Sequence, residues 1–156
     1  MSENKAGADD RIYLEDFVVG QKRRSRTYTV TLEEIREFAS RYDPQPFHLD
    51  EEAGRNSMFG GLVASGWHTA AITMRLIVDS QDKREGGTVG AGVEISWPKP
   101  TRPGDTLWAE SEVIEVTPSH SRPDRGIVTS RTVTYNQDNE PVQILQSRAV
   151  APRRPG

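Results

Sequence analysis

The chain has 156 residues, a net charge of −3 from 20 basic and 23 acidic residues, and no cysteine. That length suits one domain around a single core. The interspersed charge offers no field for nucleic acid or an anionic membrane, and the absence of thiols excludes disulfides, thiolate metal sites and cysteine nucleophiles. With a polar N-terminus and no apolar run of membrane-spanning length, the sequence reads as a soluble, cytoplasmic protein.

In chain order, residues 1–11 are polar and aperiodic and read as a flexible N-terminal tail, with 151–156 as its C-terminal counterpart and 12–150 as the folded domain. The run Lys22-Arg23-Arg24-Ser25-Arg26 lacks interleaved aromatics and reads as a solvated strand flank rather than a phosphate site. A strand is expected near 26–31. Thr31-x-x-Glu34 then has the form of a capping box, and Leu32, Ile35, Phe38, Ala39 and Tyr42 follow at helical spacing.

That helix leads into RYDPQPFHLD, residues 41–50. Asp43 and His48 would point to different sides of a helix and to opposite faces of a strand, so only a bent segment brings them together. Pro44 and Pro46 push Asp43 and Gln45 out of the helical region, which predicts a stiff, irregular loop. Asp50-Glu51-Glu52 marks the acidic first turn of a short helix running toward Asn56. The glycines of MFGGLVASG suit a chain that turns sharply or approaches a ligand closely.

A second helix is predicted over about Gly66 to Val78, with Trp67, Ala70, Ala71, Met74, Ile77 and Val78 as its buried face. From Val89 the period changes to two through Ala91, Val93, Ile95 and Trp97, the pattern of a half-buried strand. Further strands are expected at 106–117, 127–136 and 142–150, the last two joined by a tight turn at Gln137-Asp138-Asn139-Glu140. A strand, two helices and then a run of strands imply an α+β fold, an antiparallel sheet with the apolar helix lying across it.

The stretch YDPQPFHLDEEAGRNSMFGGLVASGWHTAAI resembles the MaoC-like family of hot-dog-fold proteins, best known for (R)-specific enoyl-CoA hydration. There a loop of form D-x-N-P-x-H precedes a long central helix, and a glycine opens that helix at about the interval separating His48 from Gly66. SWPKPTRPGDTL is similar to the family's strand-to-strand crossing, so the resemblance spans residues 12–150. One departure is Gln45, where the hydratases typically carry asparagine. Another is Thr73-Met74, near a serine that some hydratases carry on the central helix.

The resemblance implies a single hot-dog domain acting on acyl-CoA or acyl-carrier thioesters in fatty acid metabolism. It implies no cofactor beyond the coenzyme A of the substrate, and a homodimer or assembly of dimers. Syn addition of water to a trans-2-enoyl thioester needs a base for water, an acid for the α-carbon and donors for the thioester oxygen. Asp43 and His48 supply the first two in either order, and the backbone N–H of Gly66, at a helix N-terminus, supplies the third. Gln45, Phe47, Ser65, Trp67, Lys99 and Arg102 are the expected substrate-binding residues, the last two reaching the phosphates of coenzyme A.

Plainer readings stand beside these. Taken alone, Asp43 is turn chemistry and His48 a structural histidine; the loop, glycine and helix together favour catalysis. His68 reads as a structural side chain or pocket wall. Tyr42, Phe47, Trp67 and Trp97 read as core before acyl tunnel, and Lys99 and Arg102 equally as a solvated loop. His48-Leu49-Asp50 has no further ligands at useful spacing, so no metal site is expected. The competing functions are an acyl-CoA thioesterase on the same fold and a non-catalytic acyl-thioester-binding subunit. The acid-free central helix argues against the first and the intact Asp43 and His48 against the second.

Overall fold

The computed structural model describes residues 10–156. Its first regular elements are short: a 3-10 turn at Leu14–Asp16, then β1 (Lys22–Arg24) and β2 (Tyr28–Thr29), which both pair with the later strand at Thr106–Pro118. The expected strand at 26–31 is reduced to the two residues of β2, and β1 precedes it across Ser25, whose N–H bonds to the Ala109 carbonyl and whose hydroxyl accepts from the Ala109 N–H. Three cations of the basic run are engaged locally. Arg23 pairs with Glu85, Arg26 with Asp79, and the Arg24 guanidinium lies 3.9 Å over the Trp108 ring.

Helix α1 (Leu32–Tyr42) starts where the capping box predicts: the Glu34 N–H donates to Thr31 Oγ1 at 3.2 Å and the Thr31 N–H to Glu34 Oε1 at 3.1 Å. Ile35 and Ala39, one turn apart, are fully buried. The helix stops at Asp43 because Pro44 follows it. The next segment is more ordered than an irregular loop. It carries a single helical turn, α2 (Pro46–Leu49), with Pro46 in the first position, where a missing N–H costs nothing. Helix α3 (Glu51–Arg55) is capped by the Asp50 carboxylate, which accepts from the Ala53 N–H.

Helix α4 (Gly66–Ser80) lies against an antiparallel sheet completed by β3 (Val89–Ser96), β4 (Thr106–Pro118), β5 (Arg125–Tyr135) and β6 (Pro141–Pro152). The strand order is β1-β4-β5-β6-β3, so β3 forms one edge of the six-stranded sheet. Val30, Ile35, Leu62, Ala64, Ile72, Leu76, Leu107, Ala109 and Val142 make the main core. The turn at 136–140 joins β5 to β6 with Asn139 in the left-handed region at φ 57°. The closing strand runs past the expected boundary at 150, and Arg153 and Arg154 are tied to Asp124, Glu15 and Asp16. Most of the proposed tail at 1–11 lies outside the described residues.

The orientation of α4 differs from expectation. His68, Thr69, Ile72, Thr73 and Leu76 are buried, whereas Trp67 is 61% exposed, Met74 52% and Val78 53%. A helix apolar on nearly every side does not declare its inward face by hydropathy. Here hydroxyls choose it: Thr69 Oγ1 donates to Thr101 Oγ1 at 2.9 Å, and the Thr73 and Thr134 hydroxyls bond at 2.7 Å. No helix among the described residues is long and apolar enough to cross a membrane.

Candidate active site

The site forms where α1, α2 and α4 converge. Asp43 is the residue at which α1 ends, and its extended φ of −153° turns the chain toward α2. That turn carries His48, whose side chain is 6% exposed. Between α3 and α4, residues 57–65 fold back over α3. Gly54 permits the crossing, since a Cβ there would lie 2.4 Å from the Leu62 backbone nitrogen. The returning strand-like segment is fixed from both sides: the Val63 N–H donates to the Phe47 carbonyl, and the Ala64 N–H to that of Thr101.

These contacts determine the state of the imidazole. Nδ1 of His48 lies 2.7 Å from the Val63 carbonyl oxygen, which can only accept, so Nδ1 carries a proton. Nε2 faces Asp43 Oδ2 at 3.3 Å. In the neutral ring Nε2 is a bare lone pair, and two acceptors at that separation are satisfied by a shared proton or by a water that donates to both.

Asp43 is held by two further side chains. Ser65 Oγ donates to Oδ2 at 2.6 Å and Gln45 Nε2 to Oδ1 at 2.5 Å. Burial pushes the Asp43 carboxyl up, but the hydrogen bonds from Ser65 and Gln45, together with the nearby His48, outweigh burial and hold it below the usual carboxylate range. Ser65 also caps α4, accepting from the Trp67 N–H at 3.3 Å. Gly66 is the first residue of that helix, where an N–H has no intrahelical partner. Its lack of a side chain is required by packing: a Cβ would meet the Trp97 ring at 2.7–2.9 Å.

The structure therefore brings together Asp43, His48, Gln45 and Ser65, with Gly66 next in sequence. Phe47 stands edge-on to His48 at 4.7 Å and packs against Phe59. The others are occupied elsewhere. Lys99 pairs with Glu140, and Arg102 donates to the Phe59 carbonyl at 2.7 Å, which makes it a clamp on the 57–65 segment. Trp67 stands edge-on to Trp97, 5.5 Å between ring centres. Tyr42, 71% exposed, and Trp67 are not core residues, because each sits on a helix face that nothing in the monomer covers.

His68 is a wall residue. It is buried, stacked on Phe38 at 4.8 Å, and its Nδ1 has no partner among the described residues. Burial lowers its pKa, against a smaller opposing pull from Glu34. Sequence reasoning missed the Val63 carbonyl, which as backbone carries no residue-type signal. It also missed the role of Ser65 in anchoring Asp43, although a serine directly before a helical glycine is a capping signal.

A carboxylate 3.3 Å from a fixed imidazole, beside the start of a central helix packed on an antiparallel sheet, gives a hot-dog domain with a paired acid–base cluster. The family model described as MaoC like domain matches residues 16–136, and the chain belongs to that family. It is 35% identical over 127 residues, 80% of this chain and 87% of the relative, to the uncharacterized protein YdeM of Bacillus subtilis (strain 168). The crystal structure of a MaoC-like dehydratase from Rhodospirillum rubrum is similar with TM-score 0.88 and 55% identity, covering 93% of this chain and 99% of that one. The unliganded R-hydratase PhaJ1 of Pseudomonas aeruginosa is similar with TM-score 0.72 and 26% identity, covering 92% and 88%.

Proposed function

We propose that this protein is an (R)-specific enoyl-CoA hydratase, or the 3-hydroxyacyl-CoA dehydratase in reverse, adding water syn across a trans-2-enoyl thioester. The observation that carries the reading is the imidazole with Nδ1–H fixed on Val63 and Nε2 turned to an ionised Asp43. A water lying beside the pair, within reach of both, gives its proton to Nε2 as its oxygen adds to the β-carbon. The imidazolium then returns a proton to the α-carbon on the same face, with Asp43 remaining the counter-charge. The Gly66 N–H receives the charge that develops on the thioester oxygen. Water adds without a change of redox state, so no cofactor is required.

The assembly proposed is a homodimer in the cytoplasm, where coenzyme A thioesters are found. Trp67, Met74 and Val78 form an exposed apolar stripe on α4, and Val89 and Val93 stand exposed on edge strand β3, which carries neither lysine nor proline. Such an edge invites pairing with a second copy. A cavity of about 330 Å³ opens between the second half of α4 and the sheet, lined by Met74, Ile77, Val113, Val128 and Leu145 among others. Met74 lies roughly 12 Å along the helix from Gly66, at 1.5 Å per residue, so this space suits an acyl tail whose thioester sits at the helix start.

The test is to incubate the protein with trans-2-enoyl-CoA and saturated acyl-CoA thioesters of graded length. Loss of the conjugated absorbance and release of free thiol are followed in parallel. Hydration with an (R)-3-hydroxyacyl product is the expected result. Thiol release without loss of conjugation would replace it with the thioesterase reading, and binding without turnover with the non-catalytic one.

A further inference from the structure

The Gly66 N–H must be aimed as well as present, and the structure contains a device for aiming it. Trp97 follows the last residue of β3, and its indole lies against the Cα of Gly66 so closely that no side chain fits between them. The ring is 39% exposed, yet its Nε1–H turns inward and donates to Gln143 Oε1 at 3.0 Å. Gln143, on the inner face of β6, is fully buried and stands opposite Thr134, the residue bonded to Thr73 of α4.

The orientation of this amide is forced. An indole only donates, so Gln143 must present its oxygen to Trp97, and its NH₂ then points into the interior, where no described residue accepts from it. A buried amide left half-satisfied destabilises the fold relative to an apolar side chain of the same size.

We propose that Gln143 and Trp97 form a positioning relay for catalysis: Gln143 fixes the indole, and the indole fixes the first turn of α4, setting where the Gly66 N–H meets the thioester oxygen. This deepens the hydratase reading and rests on it for its catalytic part. Trp97 and Gln143 are positioning residues. The relay also couples the end of edge strand β3 to the helix start, since Trp97 directly follows Ser96.

The test uses the full chain and two variants, Gln143→Met and Trp97→Phe, each followed by the amide resonance of Gly66, thermal unfolding and steady-state hydration of a trans-2-enoyl-CoA. In Gln143→Met the Trp97 indole N–H and the Gly66 amide resonances should both move. Turnover should fall about tenfold with KM within about twofold, the effect of a misaimed oxyanion donor rather than a lost binding contact. The unfolding midpoint should not fall, because the orphaned NH₂ is gone. Trp97→Phe should lose a similar factor, and the double variant little more than Trp97→Phe alone.

A Gly66 resonance unmoved in Gln143→Met overturns the relay, as does a loss of turnover that merely tracks KM or the folded fraction. A wild-type protein that hydrates no enoyl thioester removes the hydratase reading instead, and the Gly66 resonance then decides the relay by itself.

Discussion

Asp43 and His48 act through one shared water in the proposed reaction, which makes their effects inseparable. General acid–base groups typically contribute ~10²–10⁴-fold, so Asp43→Asn and His48→Gln should each lose about that much in turnover, with the fold and thioester binding intact. The double variant should lose little more than the worse single one; multiplying losses would show independent action. Ser65 has a different signature. Its hydrogen bond to Asp43 Oδ2 helps keep that carboxyl depressed, so the charged form is favoured above the folded pKa and lost as pH falls through it. In Ser65→Ala that pKa should rise, moving the acid limb of the kcat/KM profile to higher pH, and removal of the α4 cap should cost about 1 kcal/mol in denaturant unfolding. At this scale the sequence was legible where side-chain types announce chemistry. Asp43 and His48 converge as the proline-stiffened loop pattern suggested, whereas Gln45, expected to meet substrate, gives its amide to Asp43. Lys99 and Arg102 show the converse, because a cation in a Pro-rich loop does not reveal which acid or carbonyl will take it.

Among the elements, α1 was readable to the residue because its capping box and its single buried stripe agree. The α4 boundaries were nearly as clear, but its inward face was not. Hydropathy nominated Trp67, Met74 and Val78, while the sheet side is occupied by Thr69 and Thr73, whose hydroxyls find partners on the 97–105 connection and on β5. The single turn α2 was hidden by Pro44 before it and by Pro46, which starts it. Gly66 offers a test at this level. Gly66→Ala places a methyl within 2.7 Å of the Trp97 ring, so the ring must leave its seat. Overpacking of this kind costs on the order of 1–3 kcal/mol. The expected result is a lower unfolding midpoint together with quenching or a wavelength shift of tryptophan emission; an unchanged spectrum would show that the contact yields easily.

For the whole molecule, stability should depend on pH through His68. Its folded pKa lies below the unfolded value of about 6.5, since burial opposes the charge. The neutral ring's contribution is complete above that value and declines as pH falls from it toward the lower folded pKa, because the unfolded chain takes up the proton first. His68→Phe keeps an aromatic ring beside Phe38 and should flatten the fall of the unfolding midpoint as pH drops below the unfolded value, relative to wild type; parallel curves would show that another group titrates. Assembly is tested by sedimentation. A dimer is expected at micromolar concentration, and Val93→Lys, placing a charge on the exposed edge strand, should shift it toward monomer. The threonine bonds beneath α4 bear on the same association. A cylinder greased on all sides could settle at several angles about its own axis, each with similar burial. Thr69 and Thr73, paired with fixed hydroxyls, act as two keys in two slots and leave one azimuth. That angle decides which side chains α4 turns outward, so the polar interior selects the apolar surface on which the proposed dimer depends.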